Sequence, residues 1–513
     1  MNNFIKIYFW QVISILFNFA SIFVVTPYIS SNQALYGIYA IVVSAYLFIS
    51  YADFGFLSAS MKYAAESFAQ KNILNEIKVI GFATMVFLIF ILIYAIGIFL
   101  ISFSPGILVN NLKSETEILI ARNLLQILAF FCPVFALQRI VQIIFGVRLQ
   151  DYKFQRILII CNLIKVLSVF YFFRNGKYLI VEYFLFSQLC TLVAVVIGLF
   201  IAKKKLGYDL ELLFKSVKLS KEQYDKTKKL AYTSLFLTFS WILYYELDTF
   251  VIAKFLGPNS VAIFAIALTI MTYFRTLFGV FFSPFIAKFN HFVGLRDSEG
   301  LKKFFFKVLL VFVPITTLPV LCVVLTTKNF ILTWVGSDYE LSVQIAQVML
   351  LSYLFSFITY PAGILIMANE DVKALYLTSA IQPFIYWLGI IITYSFLKLE
   401  AFAYFKFIAF FIEAVVYIVY VVYFFKITFF TFFKKVILPI IPAFVSVCGL
   451  IYFSRSFWPI THNKINLFLY FTYIGIVVAA GLLIVYFTSD PYKLFVKNVY
   501  KNAINRFYNI KTN

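Results

Sequence analysis

Long apolar stretches alternate with short polar ones along the whole chain. Each apolar stretch is about 20 residues long, the length that an α-helix needs to cross a hydrocarbon layer of about 30 Å. A transmembrane β-barrel would instead show short alternating segments, and the sequence has none. The pattern therefore predicts an all-α polytopic membrane protein with about 14 transmembrane helices. The predicted spans are 8–28, 36–57, 79–103, 118–145, 156–173, 179–201, 232–256, 261–285, 306–326, 345–367, 374–396, 402–425, 436–454 and 466–487.

A long basic segment separates the first six spans from the next six. It predicts an N-lobe over 1–202, a cytoplasmic linker over 203–231, a C-lobe over 232–426, and two further helices with a basic tail over 427–513. Each lobe holds an even number of helices, so the lobes would share one orientation and be related by a pseudo-two-fold axis along the membrane normal. The segments ALYGIYAIVVS (34–44) and NSVAIFAIALT (259–269) resemble each other and support such a repeat.

Composition agrees with the pattern, since 63% of the 513 residues are hydrophobic, against roughly 45–50% in soluble domains. The net charge is +21, and thirty of the 43 Lys and Arg residues lie in alternate connections while the opposite connections hold seven. This asymmetry predicts cytoplasmic N- and C-termini. It also explains the positive charge without a nucleic-acid partner. The basic segment 203–229 is expected near anionic lipid headgroups, with a docking site for a soluble protein as the alternative.

Recognisable catalytic patterns are missing from the sequence. There is no P-loop, no nucleophile elbow and no exposed pair of carboxylates. The five cysteines occur singly in apolar runs and there are two histidines, so neither a disulfide nor a metal site is indicated. We therefore predict a protein that is not an enzyme, with no catalytic residue, no metal and no cofactor. Without a nucleotide site the chain would not itself use ATP, so any movement of a substrate would be driven by a gradient, the membrane potential or metabolic consumption.

Charged residues inside the spans are the candidate functional residues, because charge at membrane depth must face protein or a wet cavity. Arg275 lies in IALTIMTYFRTLFGVFFSPF (266–285), with the small residues Thr272 and Gly279 on its face. An arginine with free space beside it can bind a phosphate through two parallel hydrogen bonds. The alternative is a structural pair of Arg275 with Glu246 or Asp248.

The stretch YYELDTFVIAKFLG (244–257) carries further charges into the seventh span. Glu246 is expected to be paired, protonated or directed into a cavity. Asp248 lies on another face of the helix and could connect it to the eighth span. Lys254 is expected to reach the outer interface. Glu246 and Asp248 are thus candidates for coupling or gating.

The other spans carry a smaller set of comparable residues. Arg139 and Lys165 lie in consecutive antiparallel spans, where both could face the interior and bind a diphosphate. Asp53, near the cytoplasmic end of the second span, is expected to form a boundary salt bridge or a cap, with coupling as its other candidate role. Lys406 and Glu413 are two turns apart and are predicted to form a structural pair.

Several short motifs resemble those of a known family. They are Pro27 at the end of the first span, YGIY (36–39), the triplet Asp53–Phe54–Gly55, and DTFVIAKFLG (248–257). The chain resembles the Wzx-type O-antigen and capsule flippases of the multidrug/oligosaccharidyl-lipid/polysaccharide superfamily, to which the drug-exporting MATE proteins also belong.

This resemblance implies a cavity between two six-helix lobes that opens alternately to each side of the bacterial plasma (inner) membrane. The implied substrate is an undecaprenyl-diphosphate-linked oligosaccharide, and the implied partners are this substrate, membrane lipids and candidate polysaccharide-assembly proteins. The family places its first, second, seventh and eighth helices around the cavity, which would put Arg275 and Glu246 there. Arg139 and Lys165 match no motif of the family.

Two other functions stay open at this stage. A drug/cation antiporter would use Glu246, Asp248 and Asp53 as proton or sodium sites, although the excess of positive charge within the spans disfavours cationic drugs. A membrane glycan polymerase or glycosyltransferase would need larger outer loops than the short connections found here.

Overall fold

The computed structural model of the protein describes residues 2–51, 55–174, 176–454 and 464–498. Their regular secondary structure is helical, and no β-strand occurs in them. The helices are α1 (Asn2–Ile29), α2 (Gln33–Phe48), α3 (Phe56–Ala69), α4 (Ile73–Ser102), α5 (Glu115–Val147), α6 (Asp151–Phe172), α7 (Ile180–Leu206), α8 (Leu210–Ser216), α9 (Lys221–Tyr245), α10 (Asp248–Leu256), α11 (Pro258–Phe282), α12 (Phe285–Gly294), α13 (Ser298–Val335), α14 (Glu340–Leu351), α15 (Ser356–Ala368), α16 (Val372–Leu397), α17 (Leu399–Phe424), α18 (Phe429–Val436), α19 (Ile441–Ser454) and α20 (Lys464–Thr488).

Within these residues, fourteen helical segments are long and apolar enough to cross a membrane. Each corresponds to one of the predicted spans, so the prediction of an all-α polytopic membrane protein is confirmed. Several helices are longer than predicted, because capped polar turns extend the apolar cores. The first turn of α13, for example, is capped by Asp297, whose Oδ1 accepts a hydrogen bond from the Gly300 amide at 2.8 Å, the usual role of an aspartate at this position.

The second span ends earlier than predicted. Its helix finishes with a short 3₁₀ turn at Tyr51, and Gly55 then adopts a left-handed conformation with φ 79°. A β-carbon at Gly55 would lie 2.6 Å from the carbonyl oxygen of Ala231, so both the turn and the close approach of α9 require glycine. The chain continues in α3, which the apolar pattern did not predict.

The predicted seventh span, 232–256, is two helices. Helix α9 ends at Tyr245 and α10 begins at Asp248. The amides of Glu246 and Leu247 both donate to the carbonyl oxygen of Ile242, each at 3.1 Å. The two acidic residues of this stretch, Glu246 and Asp248, thus lie at a helix break, where backbone N–H and C=O groups lack partners within a helix and a polar side chain can bind them.

The segment predicted as a linker is largely helical. Helix α7 ends at Gly207, which adopts φ 61°, and α8 is capped by Asp209. The end of α8 packs closely on α4, since a β-carbon at Gly81 would lie 2.4 Å from the carbonyl oxygen of Ser216. The predicted linker therefore packs on α4 through α8.

The chain divides into two compact units, Met1–Ala265 and Ile266–Asn513. In the first unit, α5 packs between α4 and α7, and α6 packs between α1 and α7. Fully buried residues of this core include Phe87, Leu124, Cys132 and Ala194. In the second unit, the long helix α13 is central and packs on α14, α15, α19 and α20, while α16 and α17 form an antiparallel pair.

Candidate functional site

The first unit contains a cavity of about 480 Å³, within the range of about 300–1,000 Å³ for small-molecule sites. It is bordered by the end of the second span, α3, α5, α6 and α9, and eight of its thirteen lining side chains are polar or charged. The lining residues are Ser50, Tyr51, Leu57, Ser58, Met61, Arg139, Gln142, Ile143, Asp151, Phe154, Gln155, Leu158 and Thr238. A polar cavity among membrane-spanning helices is suited to a polar or charged ligand.

Arg139 supplies the cation of this cavity. It lies eight residues before the end of α5 at Val147, or about 12 Å along the helix axis. Its Nη1 donates to Gln142 Oε1 at 3.3 Å, and its guanidinium lies 5.5 Å from the centre of the Phe135 ring. No carboxylate among the described residues forms an ion pair with it. Since a guanidinium has five N–H donors, most of its donors remain available for an anion.

Two lining residues from α6 add further polar atoms. Gln155 has a buried Oε1 that finds no hydrogen-bond partner in the described part of the chain. Buried polar atoms are nearly always hydrogen-bonded, so such an atom indicates a ligand or a water molecule. Asp151 starts α6, so its carboxyl group adds hydrogen-bonding oxygens to the cavity at the N-terminus of this helix. The cavity can therefore accept hydrogen bonds as well as donate them.

Glu246 is connected to the cavity through Tyr51. The Tyr51 hydroxyl donates to Glu246 Oε1 at 3.1 Å and accepts from Trp241 Nε1 at 3.1 Å. The Glu246 side chain is 7% exposed. The sequence predicted that Glu246 would be paired, protonated or cavity-facing, and in the structure it binds a residue of the cavity wall.

Asp248 makes hydrogen bonds with the residue that follows it. It is fully buried, and its Oδ1 accepts hydrogen bonds from the Thr249 amide at 2.8 Å and from Thr249 Oγ1 at 3.4 Å. A carboxylate in the first turn of a helix neutralises the positive end of the helix dipole. Asp248 thus stabilises the restart of the chain as α10.

Lys165 does not line the cavity. Its Nζ donates to Thr191 Oγ1 at 2.8 Å, which joins α6 to α7. It lies seven residues after the lining residue Leu158, and thus on the same helix face about 10 Å further along. The structure therefore places Arg139 in the cavity and Lys165 beyond it, in line with the cavity face of α6.

Arg275 belongs to the second unit and is half-buried on α11. It precedes the end of α11 at Phe282 by seven residues, or about 10 Å, and lies five residues past the midpoint of the helix. Its carbonyl oxygen accepts a hydrogen bond from the Tyr360 hydroxyl at 3.0 Å. A β-carbon at Gly279 would meet no described atom within 4 Å, which agrees with the predicted space beside the guanidinium.

The remaining charged candidates are placed as follows. Asp53 lies outside the described residues. Lys254 is exposed and its Nζ donates to the Gly106 carbonyl at 3.3 Å. Glu413 Oε2 accepts from Gln382 Nε2 at 2.9 Å, while Lys406 Nζ lies 5.2 Å from the centre of the Tyr386 ring, so the structure gives Lys406 and Glu413 different partners.

Sequence reasoning missed the uncharged polar residues of the cavity. Tyr51, Gln142, Gln155 and Thr238 were not singled out, although each interrupts an apolar run. One signal was available, since Gln142 follows Arg139 by three residues and so shares its helix face. The convergence of Tyr51 and Thr238 on the same space depends on helix packing and leaves no trace in the local pattern.

The structure of this chain is similar to several solved structures of membrane transporters. The structure of lipid II flippase MurJ in an inward closed conformation matches with a TM-score of 0.66 and 16% identity, over 96% of this chain and 100% of that one. An inward-facing multidrug resistance MATE family transporter of the MOP superfamily matches with a TM-score of 0.61 and 13% identity, over 80% of this chain and 94% of that one. A MOP superfamily transporter from Pyrococcus furiosus is described as having a binding pocket of reversed polarity. It matches with a TM-score of 0.56 and 13% identity, over 82% of this chain and 94% of that one.

No protein-family model matches the sequence, and no curated protein matches it. The likeness is therefore one of fold. The chain has the fold of the multidrug/oligosaccharidyl-lipid/polysaccharide transporters, as its motifs and its pattern of spans predicted.

Proposed function

We propose that this protein is a flippase that moves an undecaprenyl-diphosphate-linked oligosaccharide, such as a repeat unit of O-antigen, capsule or exopolysaccharide, from the cytoplasmic to the outer leaflet by alternating access. The observation that carries the proposal is Arg139, a cation in a polar intramembrane cavity that forms no ion pair with a described carboxylate. The similarity of the fold to a lipid II flippase supports it.

The chemistry of the cavity suits both parts of such a headgroup. The Arg139 guanidinium can hold a diphosphate through charge-assisted hydrogen bonds, which are about twice as strong as neutral ones. Gln142, Gln155 and Ser58 offer donors and acceptors for sugar hydroxyls. The lipid tail would remain in the membrane while the headgroup occupies the cavity.

Lys165 would extend the path of the diphosphate. It lies two turns beyond the cavity on the same face of α6, and Thr191 is its hydrogen-bond partner. A phosphate that leaves Arg139 would thus meet a second cation further from the start of α6. In the second unit, Arg275 is a separate candidate cation for phosphate. Together these cations would lower the electrostatic barrier to moving phosphate charge through a medium of low dielectric constant.

The membrane potential can supply part of the driving force. One elementary charge crossing the membrane gains about 2.3 kcal/mol per 100 mV, so an anionic substrate leaving a negative interior moves downhill. Glu246, held by Tyr51, is a candidate gating residue between the cavity and the α9–α10 break, and Asp248 and Asp53 remain candidates for the same role. We place the protein in the bacterial plasma membrane with both termini cytoplasmic, on the distribution of Lys and Arg. In this role it acts without catalysis and without a cofactor.

A drug/cation antiporter is the second candidate, favoured by the structural similarity to multidrug MATE transporters. In that case Glu246 would bind a proton or a cation. Arg139 lies in the cavity without an ion-pair partner among the described residues and would repel a cationic drug, so the flippase is the better match to this site.

The test compares Arg139→Ala, Arg139→Lys and Arg156→Ala in cells that depend on this protein. Arg156 is exposed on α6 and stacks on Trp10 at 4.4 Å, so its removal controls for the loss of one positive charge. We expect Arg139→Ala to abolish glycan export at normal protein abundance, Arg139→Lys to retain part of it, and Arg156→Ala to export normally. Normal export by Arg139→Ala would show that Arg139 has no role in substrate binding.

Arg275 is tested in the same way. Arg275→Ala should stop export without changing the amount of protein in the membrane, whereas Arg275→Lys should keep partial function because it preserves the charge. Export by Arg275→Ala at the wild-type rate would make Arg275 a structural residue.

A further inference from the structure

A second depression in the first unit differs from the polar cavity in being almost entirely apolar. This groove, about 520 Å³, is lined by Phe56 of α3, by Phe82, Val86, Ile89 and Phe90 of α4, and by Leu219, Ser220, Lys221 and Tyr224 at the start of α9. Its α4 residues recur at intervals of three and four and so form one helix face. From Phe82 to Phe90 the groove runs about 12 Å along α4.

Aromatic side chains build one wall of the groove. The Phe56 ring lies 6.0 Å from that of Phe82 and stacks on that of Tyr224 at 6.1 Å. Phe56 and Phe82 are both buried. These contacts connect α3, α4 and α9, and the apolar side chains of Val86 and Ile89 continue the groove along α4.

The mouth of the groove is positively charged. Lys221 lines it, Lys218 is exposed three residues earlier, and the N-terminus of α9 adds the positive end of a helix dipole. Glu222 is exposed in the same turn, so these three side chains carry a net charge of +1 and the segment 203–229 as a whole carries nine lysines against four acidic residues. The mouth therefore attracts anions.

Apolar side chains beside these lysines place the mouth at a membrane surface. Phe214 and Leu219 are 65% and 63% exposed, although both neighbour exposed lysines. Exposed apolar residues interleaved with lysines are typical of segments that lie in the interface between headgroups and acyl chains. Ser216 packs at the level of Gly81, one residue before Phe82, so the groove begins at this interface and follows α4 into the membrane.

We propose that this groove binds one acyl chain of an anionic phospholipid, with the lipid phosphate held at Lys221 and Lys218. The apolar channel and its cationic mouth match the two parts of such a molecule, in the leaflet that faces α8. The bound chain would fill the space between α3, α4 and α9, which are the helices that border the polar cavity or pack directly on those that do. This site is separate from the proposed flippase site and does not depend on it.

Lipid binding to the purified full-length protein tests the proposal. Native mass spectrometry would compare phosphatidylglycerol with phosphatidylcholine of the same acyl chains. We expect phosphatidylglycerol to bind more tightly to the wild type, and Lys221→Ala to weaken it by about fivefold, the effect of one lysine near a membrane surface. Lys204→Ala removes an equal charge at an exposed lysine outside the groove and should leave the affinity unchanged.

A second pair of variants tests the acyl-chain channel. Val86→Trp fills the groove and should lower the affinity for both lipids severalfold, whereas Leu92→Trp, on a 61% exposed position of the same helix outside the groove, should not. Equal binding of the two lipids to the wild type, or equal losses of affinity in Lys221→Ala and Lys204→Ala, would overturn the proposal. These lysine measurements test it even if Val86→Trp fails to fold. Displacement of phosphatidylglycerol by undecaprenyl phosphate at equimolar concentration would assign the groove to a prenyl chain and overturn it as well.

Discussion

A buried ion pair between Glu76 and Arg148 provides a sharp test of how the first unit is held together. Glu76 lies in the first turn of α4 and Arg148 directly follows α5. Arg148 Nη1 is 2.5 Å from Glu76 Oε1 and Nη2 is 3.2 Å from Oε2, which is a bidentate arrangement. The side chains are 0% and 8% exposed, and the guanidinium stacks on Tyr208 at 4.6 Å and Phe68 at 5.0 Å.

The expected energies follow from this burial. Removal of one partner leaves an uncompensated charge in the interior, which typically costs about 3–5 kcal/mol. Replacement of both by apolar residues of similar volume is often neutral. We therefore predict that Glu76→Leu and Arg148→Met each destabilise the protein by about 3–5 kcal/mol, while the double variant is close to the wild type.

Unfolding of the purified protein in mixed micelles, followed by tryptophan fluorescence, would give the three free energies of the cycle. The coupling energy is the difference between the double variant and the sum of the two single variants. If the effects of Glu76→Leu and Arg148→Met simply add, or if the single variants are as stable as the wild type, the pair does not hold α4 to the α5–α6 turn and this reasoning is wrong.

Three further variants test individual contacts. Gly37→Ala should strongly lower the yield of folded protein, because its β-carbon would lie 1.9 Å from the carbonyl oxygen of Pro258; a normal yield and melting temperature would contradict the packing. Tyr51→Phe removes the hydrogen bond to Glu246 and should lower the free energy of unfolding by about 1–3 kcal/mol, measured against the wild type in the same assay. An unchanged free energy of unfolding would show that the Glu246 carboxylate does not depend on this hydrogen bond. Lys254→Ala should leave glycan export almost unchanged, since this side chain is exposed, and a complete loss of export would reveal a transport role.

The membrane-spanning helices were predictable because the length of an apolar run decides whether a helix crosses a bilayer. The breaks within the runs were harder. The charges Glu246 and Asp248 were interpreted as residues of a continuous helix, whereas they lie where one helix ends and the next begins. Asp248 at the start of α10 is the signal that was available, because aspartate is favoured in first turns. Gly55 was a comparable signal for the end of the second span.

The candidate site was predictable in part. Arg139 was singled out because a charge within a span is costly, and the structure places it in a polar cavity. Its neighbours Tyr51 and Gln155 come from other helices, so only the packing of those helices brings them to Arg139. Lys165 shares the cavity face of α6 but lies about 10 Å beyond the lining residue Leu158, and how far the cavity extends along α6 depends on the packing of the neighbouring helices.

The central claim is tested most directly by the leaflet distribution of the lipid-linked oligosaccharide. Cells that lack this protein would be complemented with the wild type or with Arg139→Ala, and a membrane-impermeant glycan probe would be applied to intact and opened vesicles. If the protein is a flippase, complete repeat units should accumulate on the cytoplasmic face in cells without the protein and in cells with Arg139→Ala. With the wild type they should reach the outer face. Repeat units exposed outside but unpolymerised would indicate a polymerase, and an unchanged pool would favour the drug/cation antiporter; either result would contradict the account.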